Sequence, residues 1–582
     1  MKIGNWKLKI LSLPIVWVLI FALALRLWGI TYGFPLFLVN DEPALVLGAL
    51  KMLELKTLIP AWHEEEFRTV LSYPPFASYF YLITLSPLLA AHYLWSGAPP
   101  LDEYRDAFTL DPSFLWIAAR VVNALLGVVL IALVYRIAKR VTASERAALL
   151  AAIFLSLSFY HLQLSHVVRH WMPAALLVYA AWFFALKIRD SWSIWPYLSA
   201  GFLAGLGMGV NTSAAIALVP AALEHVFRPD IPRRERILSL RIFAMVGASL
   251  AVAAFATVLY PYGFTRAEGA GGVGADLAMR FSRLLEVSFG EWFSFLINYG
   301  RLFLMAEPTL AAAAILGAIA LFRNRQNRRF IFITFAFCFS YLTLLYLFFN
   351  AIPRALIFLL PALAVFAGYG VDRLLLWLQN RFAASAWPFA LCALLFFAYP
   401  LATGLRYDYL ASQPDTRLVA AEWVKENIPS GSKILGDFQY LRLTNTQEGI
   451  QELLRIDPSG LRAADRVLLE KDPATYPAPA YRLLNLHFVS GGTPEREATD
   501  INFFRERGYR YFAVEYRHAN GADVDPRTRE LLKELAPVRR FAPFGRGEFP
   551  WALDLSGEID DLWPHELFWF ERFGRFVDVY EL

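Results

Sequence analysis

The stretch FLWIAARVVNALLGVVLIALVYRIAKR, residues 114–140, decides how the rest of the chain is read. Residues 114–135 are long and apolar enough to cross a hydrocarbon core, and the run ends in Arg136, Lys139 and Arg140. Lysine and arginine collect on the cytoplasmic side of membrane proteins. This span therefore enters from outside, past Arg120, and leaves into the cytoplasm.

The composition agrees with that reading. Of 582 residues, 57% are hydrophobic and 16% aromatic, and the mean hydropathy is +0.43, far above a soluble protein. A polytopic membrane protein is expected. The two cysteines, Cys338 and Cys392, fall in apolar runs and offer neither a disulfide framework nor a thiolate metal site. The net charge of +5 is better read through where the basic residues sit than as a nucleic-acid footprint, so no nucleic-acid partner is expected.

Working outward, about eleven runs qualify as spans by length: 11–30, 114–135, 147–163, 172–186, 195–210, 212–227, 242–260, 302–322, 330–349, 355–378 and 386–401. The first lacks the small-residue cleavage site of a signal peptide and is expected to stay. The apolar run 74–95 is set aside as a lateral or re-entrant helix. Without it, the basic groups around Lys7, Arg136 to Arg146, Lys187, Arg228 to Arg241, Arg323 to Arg329 and Arg373 all share one side. Counting it as a span would push every group after the first outward. The alternative, in which this run and an unrecognised partner both cross, stays open.

In this register the loops 31–113 and 261–301 face outward, and residues 31–113 hold ten acidic against four basic residues. Beyond residue 403 the spans stop. DTRLVAAEWVKENIPSGSKILGDF, from Asp415, reads as helix, turn and strand, and YRYFAVEY, from Tyr509, as another strand. The expected architecture is mainly α: a polytopic membrane helical bundle over 1–403 in the cell membrane, then a soluble extracytoplasmic α/β domain over 404–582. No internal repeat, low-complexity tract or heptad array interrupts it.

In the first outer loop, Asn40, Asp41, Glu42 and Pro43 make a good helix start. That is a sufficient structural reason for the two acids, and a capped helix end at a membrane surface also fixes a carboxylate's direction. The wider context, LRLWGITYGFPLFLVNDEPALVLGALKML from Leu25 followed by YPPFASYFYLITL from Tyr73, resembles the start of the GT-C-fold membrane glycosyltransferases of the protein O-mannosyltransferase and aminoarabinose transferase type. Those enzymes carry an Arg late in the first span, an Asp-Glu pair in the first outer loop and a Pro-Pro signature on a juxtamembrane helix, and Arg26, Asp41, Glu42, Pro74 and Pro75 match. GLGMGVNTSAAIALVPAAL from Gly205 and PRALIFLLPALAVFAGYGVDRLL from Pro353 look like later segments of bacterial members. The resemblance is a series of weak motifs in the right order, covering most of the chain.

It implies a hexosyl or pentosyl transferase of the cell envelope, taking sugar from a dolichyl- or undecaprenyl-phosphate donor to a hydroxyl on a protein, lipid or glycan, with inversion. Membrane lipids are its other expected partners. Asp41 is the candidate base for the acceptor hydroxyl, and Glu42 would orient it or share in acceptor binding. The leaving lipid phosphate needs cations, and Arg354, Arg169 and His170 are the candidates at outer edges, against the alternative of snorkelling anchors. Tyr73, Pro74, Pro75, His166 and Asn211 are candidate substrate-binding residues, because they occupy signature positions. Tyr73 stands where many relatives have His, and Asn211 where a Lys is frequent. RHWMP, from Arg169, lacks the Asp of the family's Arg-x-Asp, which leaves His166 or His170 to serve. These departures keep a variant substrate or a non-catalytic relative open.

Arg26 and Arg120, inside spans, are expected to pair with outer-loop acids, and Glu307 has no assigned role. The sequon at Asn211 lies at the membrane rim and is discounted. The Gly-rich outer loop around 267–274 suggests either a lid or an interfacial helix. His63 and Glu64 to Glu66 are read as a solvated acidic loop, so no metal is assigned, although related oligosaccharide transferases hold a divalent ion on carboxylates. The rival class is a transporter or flippase of lipid-linked sugars. Against it stand the absence of inverted span groups and the presence of a folded tail.

Overall fold

The computed structural model describes residues 14–36, 38–39, 42–67, 70–71, 73–228, 230, 232, 236, 239–259, 288–323, 328–348, 353–382, 387–545, 559 and 562–582. Asp41 and the Gly-rich part of the second outer loop lie outside the described residues. The chain forms two compact units, one of Met1–Leu27, Asp41–Leu88 and Ala118–Leu405, the other of Trp28–Asn40, Leu89–Ile117 and Arg406–Leu582.

Numbering the described α-helices of six residues or more as far as residue 411, the chain runs α1 (Pro14–Leu27), α2 (Glu42–Glu54), α3 (Phe76–Trp95), α4 (Leu101–Leu110), α5 (Ser113–Thr142), α6 (Glu145–Leu157), α7 (Phe159–His166) and α8 (Trp171–Ile188). It continues with α9 (Trp195–Met208), α10 (Leu218–Val226), α11 (Leu240–Leu259), α12 (Phe289–Ala306), α13 (Pro308–Arg323), α14 (Arg328–Phe348), α15 (Leu360–Phe382) and α16 (Trp387–Ala411). Six of these, α5, α8, α11, α14, α15 and α16, are long and apolar enough to cross a membrane. The count rises to eight if the bent pairs α6–α7 and α12–α13 are each one span. This is a multi-pass membrane protein. Every run expected to span overlaps helix among the described residues, but α1, α9 and α10 are short, so length alone does not reach eleven.

Two expected spans are broken, each for an identifiable reason. Pro308 keeps Glu307 out of helical geometry; Glu307 sits at φ −133°, ψ 56°, and α12 and α13 meet there at 113°. The run 147–163 bends by 57° between α6 and α7. There the buried Glu307 carboxylate accepts hydrogen bonds from Ser158 Oγ (2.6 Å) and Tyr160 N (3.3 Å). One acid at one break thus caps the helix start at the other, which gives Glu307 the role its sequence context did not supply.

Small residues let the helices approach closely, as membrane packing requires. A Cβ added at Gly317 of α13 would lie 1.8 Å from the Phe366 carbonyl of α15, and one at Gly201 of α9 would lie 2.1 Å from the Met245 carbonyl of α11. At one end of the bundle the basic groups meet. Arg146 reaches Asp372 at 2.5 Å, Arg228 donates to the Ile188 and Ser191 carbonyls, Arg140 pairs with Asp190, and Arg329 caps the carbonyls of Glu224 and Phe227. Groups that the charge bias assigned to a common side are joined here by direct contact.

The second unit contains a six-stranded sheet in the order β2-β3-β1-β4-β6-β5. Its strands are β1 (Lys433–Asp437), β2 (Thr444–Asn445), β3 (Ala480–Asn485), β4 (Tyr511–Tyr516), β5 (Pro537–Phe541) and β6 (Phe576–Glu581). The first four are parallel, and β6 and β5 add antiparallel. The expected helix, turn and strand after Asp415 are a helix at Thr416–Asn427 and then β1, and YRYFAVEY contains β4. Apolar clusters cover both faces, one around Val424, Ile434 and Val577, the other around Leu435, Phe512 and Phe576. Buried on both sides, β4 reads as a nearly continuous apolar run. Residues 28–40 and 89–117, grouped by sequence with the membrane part, join this unit. Tyr32 donates to Asp415 (2.5 Å), and Arg442 to the carbonyls of Pro35, Thr109 and Leu110.

Candidate active site

The end of the first unit opposite the basic groups gathers most of the singled-out residues. Arg120 and Arg140 lie twenty positions apart on α5, about 30 Å at the helical rise, which matches a hydrocarbon core. At the Arg120 end, Glu42 opens α2 and is buried. Its Oε1 accepts from Arg120 Nε and from the Val168 backbone N–H, each at 2.8 Å, and its Oε2 accepts from Arg120 Nη2 at 2.8 Å. Both oxygens of Glu42 are occupied by strong donors. One turn further along α5, on the same face, Asn123 donates to the carbonyls of Leu164 (2.8 Å) and Val167 (2.6 Å). Glu42 and Asn123 together fix the loop that carries Arg169 and His170.

Those two side chains are buried. The His170 ring lies 4.6 Å from that of Tyr73 and 4.9 Å from that of Trp171. Burial, with Arg169 and Arg354 beside it, lowers His170 to about 3, so its imidazole is neutral at physiological pH. Its Nδ1 is buried and has no hydrogen-bond partner among the described residues. Burial raises the Tyr73 phenol, and Arg354 opposes the shift. Arg354 is thus close enough to act on both rings. It stands on the 3-10 turn Pro353–Phe358, which Tyr341 Oη and Tyr179 Oη pin by donating to the carbonyls of Ala355 (2.8 Å) and Phe358 (2.6 Å).

Pro74 is partly exposed and Pro75 buried. They lead into α3, where Phe76 N donates to the Gly209 carbonyl at 3.0 Å, and a Cβ at Gly209 would lie 2.1 Å from the Phe76 ring. That approach sets the Pro-Pro turn against Asn211, whose Oδ1 caps the 3-10 turn Thr212–Ala217 through Ser213 N at 2.9 Å. His166 ends α7, its Nδ1 3.0 Å from the Leu162 carbonyl of its own helix. Arg26 contacts His161 Nδ1 at 2.6 Å and the carbonyls of Ala22 and Ser156. Tyr73, Arg169, His170 and Arg354 therefore come together, with Glu42 holding the loop behind them. Asp41, next to Glu42 in sequence, lies outside the described residues. Among the described residues no three His, Cys, Asp or Glu side chains converge as metal ligands.

Sequence reasoning missed Asn123, whose signal was a polar residue inside a span three places after Arg120. It also missed the Val168 amide, which leaves no signal at all.

Residues 113–260 match the family model of dolichyl-phosphate-mannose-protein mannosyltransferases. This is the superfamily whose motifs the sequence resembles. The matched region takes in Arg120, Asn123, Arg169, His170 and Asn211. No curated protein matches the sequence. Among solved structures, the chain is similar to the oligosaccharyltransferase AglB of Archaeoglobus fulgidus in complex with an inhibitory peptide and a dolichol-phosphate. That match has 15% identity and a TM-score of 0.44, and covers 86% of this chain and 69% of that one. It is also similar to ArnT of Cupriavidus metallidurans bound to undecaprenyl phosphate, with 14% identity and a TM-score of 0.40, covering 97% of this chain and 98% of that one.

Proposed function

We propose that the protein is an integral membrane glycosyltransferase that moves a sugar from a polyprenyl-phosphate donor to an acceptor hydroxyl on the extracytoplasmic face, with inversion. The observation that carries this reading is the meeting of Arg169, His170, Tyr73 and Arg354 around a buried imidazole nitrogen with no hydrogen-bond partner among the described residues. A buried site with fixed cations suits a leaving phosphate, whose charge grows as the anomeric C–O bond breaks. Arg354 and Arg169 supply the charge, and His170 Nδ1 a hydrogen-bonding group.

The acceptor oxygen attacks the anomeric carbon from the opposite side and must lose its proton as it does so. Glu42 is unsuited to take that proton, since Arg120 and the Val168 amide hold both its oxygens. Glu42 is a positioning residue, and Asp41 is assigned as the base. Tyr73, Pro75 and Asn211 shape the adjoining wall.

The test uses sealed right-side-out vesicles loaded with a labelled polyprenyl-phosphate sugar, with acceptor supplied outside. Wild type moves label to the acceptor, and Asp41→Asn loses at least a hundredfold in rate, the usual scale for a general base. Equal rates would remove Asp41 from the mechanism.

A further inference from the structure

At the basic end of the bundle, about 30 Å along α5 from the candidate active site, a polar cavity of about 180 Å³ opens between the ends of α5, α8, α10 and α14. That is room for about six waters at their liquid share. Three guanidinium groups line it, Arg140, Arg189 and Arg329, against two carboxylates, Asp190 and Glu224. The lining carries an excess of one positive charge.

The arginines are engaged unequally. Arg329 holds Glu224 at 2.5 Å, and its Nε is buried with no hydrogen-bond partner among the described residues. Arg140 pairs with Asp190 in a half-exposed contact that solvent weakens. Arg189 is exposed, and its guanidinium makes no hydrogen bond or ion pair among the described residues. The cavity also has an apolar wall from Leu186 and Phe330. From Arg328 and Arg329 an exposed apolar stripe runs along α14 through Phe332, Phe335 and Phe339, spaced so as to share one face. A cationic cavity opening onto an apolar helix face at a membrane boundary has the two-part chemistry of a phospholipid, anionic at the head and apolar in the chains.

We propose that this cavity binds the phosphate headgroup of an anionic phospholipid, with its acyl chains lying along the α14 stripe. Arg189 and Arg140 contact the phosphate, and Arg329 shapes the floor. The site is separate from the sugar-transfer chemistry and stands whether or not that reading holds.

The full-length protein in non-ionic detergent, titrated with dioleoyl-phosphatidylglycerol while its thermal midpoint is followed, tests this. The lipid should raise the midpoint saturably, while dioleoyl-phosphatidylcholine, glycerol 3-phosphate and inorganic phosphate at equal concentration should not. Arg189→Ala should weaken the apparent affinity roughly fivefold, as expected for one charge near a membrane surface, and adding Arg140→Ala should weaken it further. The Arg189 guanidinium holds no hydrogen bond or ion pair among the described residues, so its variant should fold as wild type does. Unchanged phosphatidylglycerol affinity in Arg189→Ala would overturn the site. An equal response to glycerol 3-phosphate would overturn the lipid assignment and make the ligand a soluble phosphate.

Discussion

Glu42 and Arg120 form a buried, two-point ion pair that a backbone amide completes. Removing one partner of such a pair strands the other charge and typically costs about 3 to 5 kcal/mol. Arg120→Met should therefore lower the thermal midpoint in detergent sharply, and Glu42→Leu combined with it should recover much of the loss. A single variant as stable as wild type would mean that the pair is solvated. His170 offers a second test. Its folded value of about 3 lies below the ordinary 6.5, so the folded state binds fewer protons than the unfolded chain between those values. Its contribution is complete above about pH 6.5 and is lost as pH falls toward 3. His170→Asn should flatten that part of the stability profile, and an unchanged slope would contradict the burial. The sequence made the acid at 42 and the arginine at 120 legible as outer-loop acid and span arginine. It could not name their pairing, because 78 residues separate them and only packing chooses the partner.

Among the elements, the spans were legible and their breaks only half so. Long apolar runs and the basic bias are local signals, and helices stand where those signals lie. Pro308 was a local sign that α12 must end at Glu307. The bend at Ser158 had no local sign, since the carboxylate that caps α7 comes from 149 residues away. Close packing is equally distant: Gly317 has room for no side chain only because Phe366 of α15 crosses there. Gly317→Leu should therefore destabilise the bundle by about 1 to 3 kcal/mol through overpacking, read as a lower thermal midpoint. Gly300, with nothing near its Cβ position, should tolerate Ala. Equal losses at the two positions would contradict the crossing.

On the scale of the whole molecule, the sequence foresaw a helical membrane part and an α/β tail. It did not foresee that residues 28–40 and 89–117 join the tail's unit, because contacts such as Tyr32 to Asp415 span 383 residues. The membrane unit gathers cations at both ends and uses them differently. At one end they cap helices and line a cavity. At the other, Arg169 and Arg354 flank a neutral imidazole. The most direct test of the proposed chemistry is release of free polyprenyl phosphate from a labelled donor by purified wild type and Arg354→Ala. Wild type should release it in step with sugar transfer, and the variant should lose at least a hundredfold in rate while keeping the wild-type thermal midpoint. Donor left intact by wild type, or consumed equally fast by the variant, would contradict the account.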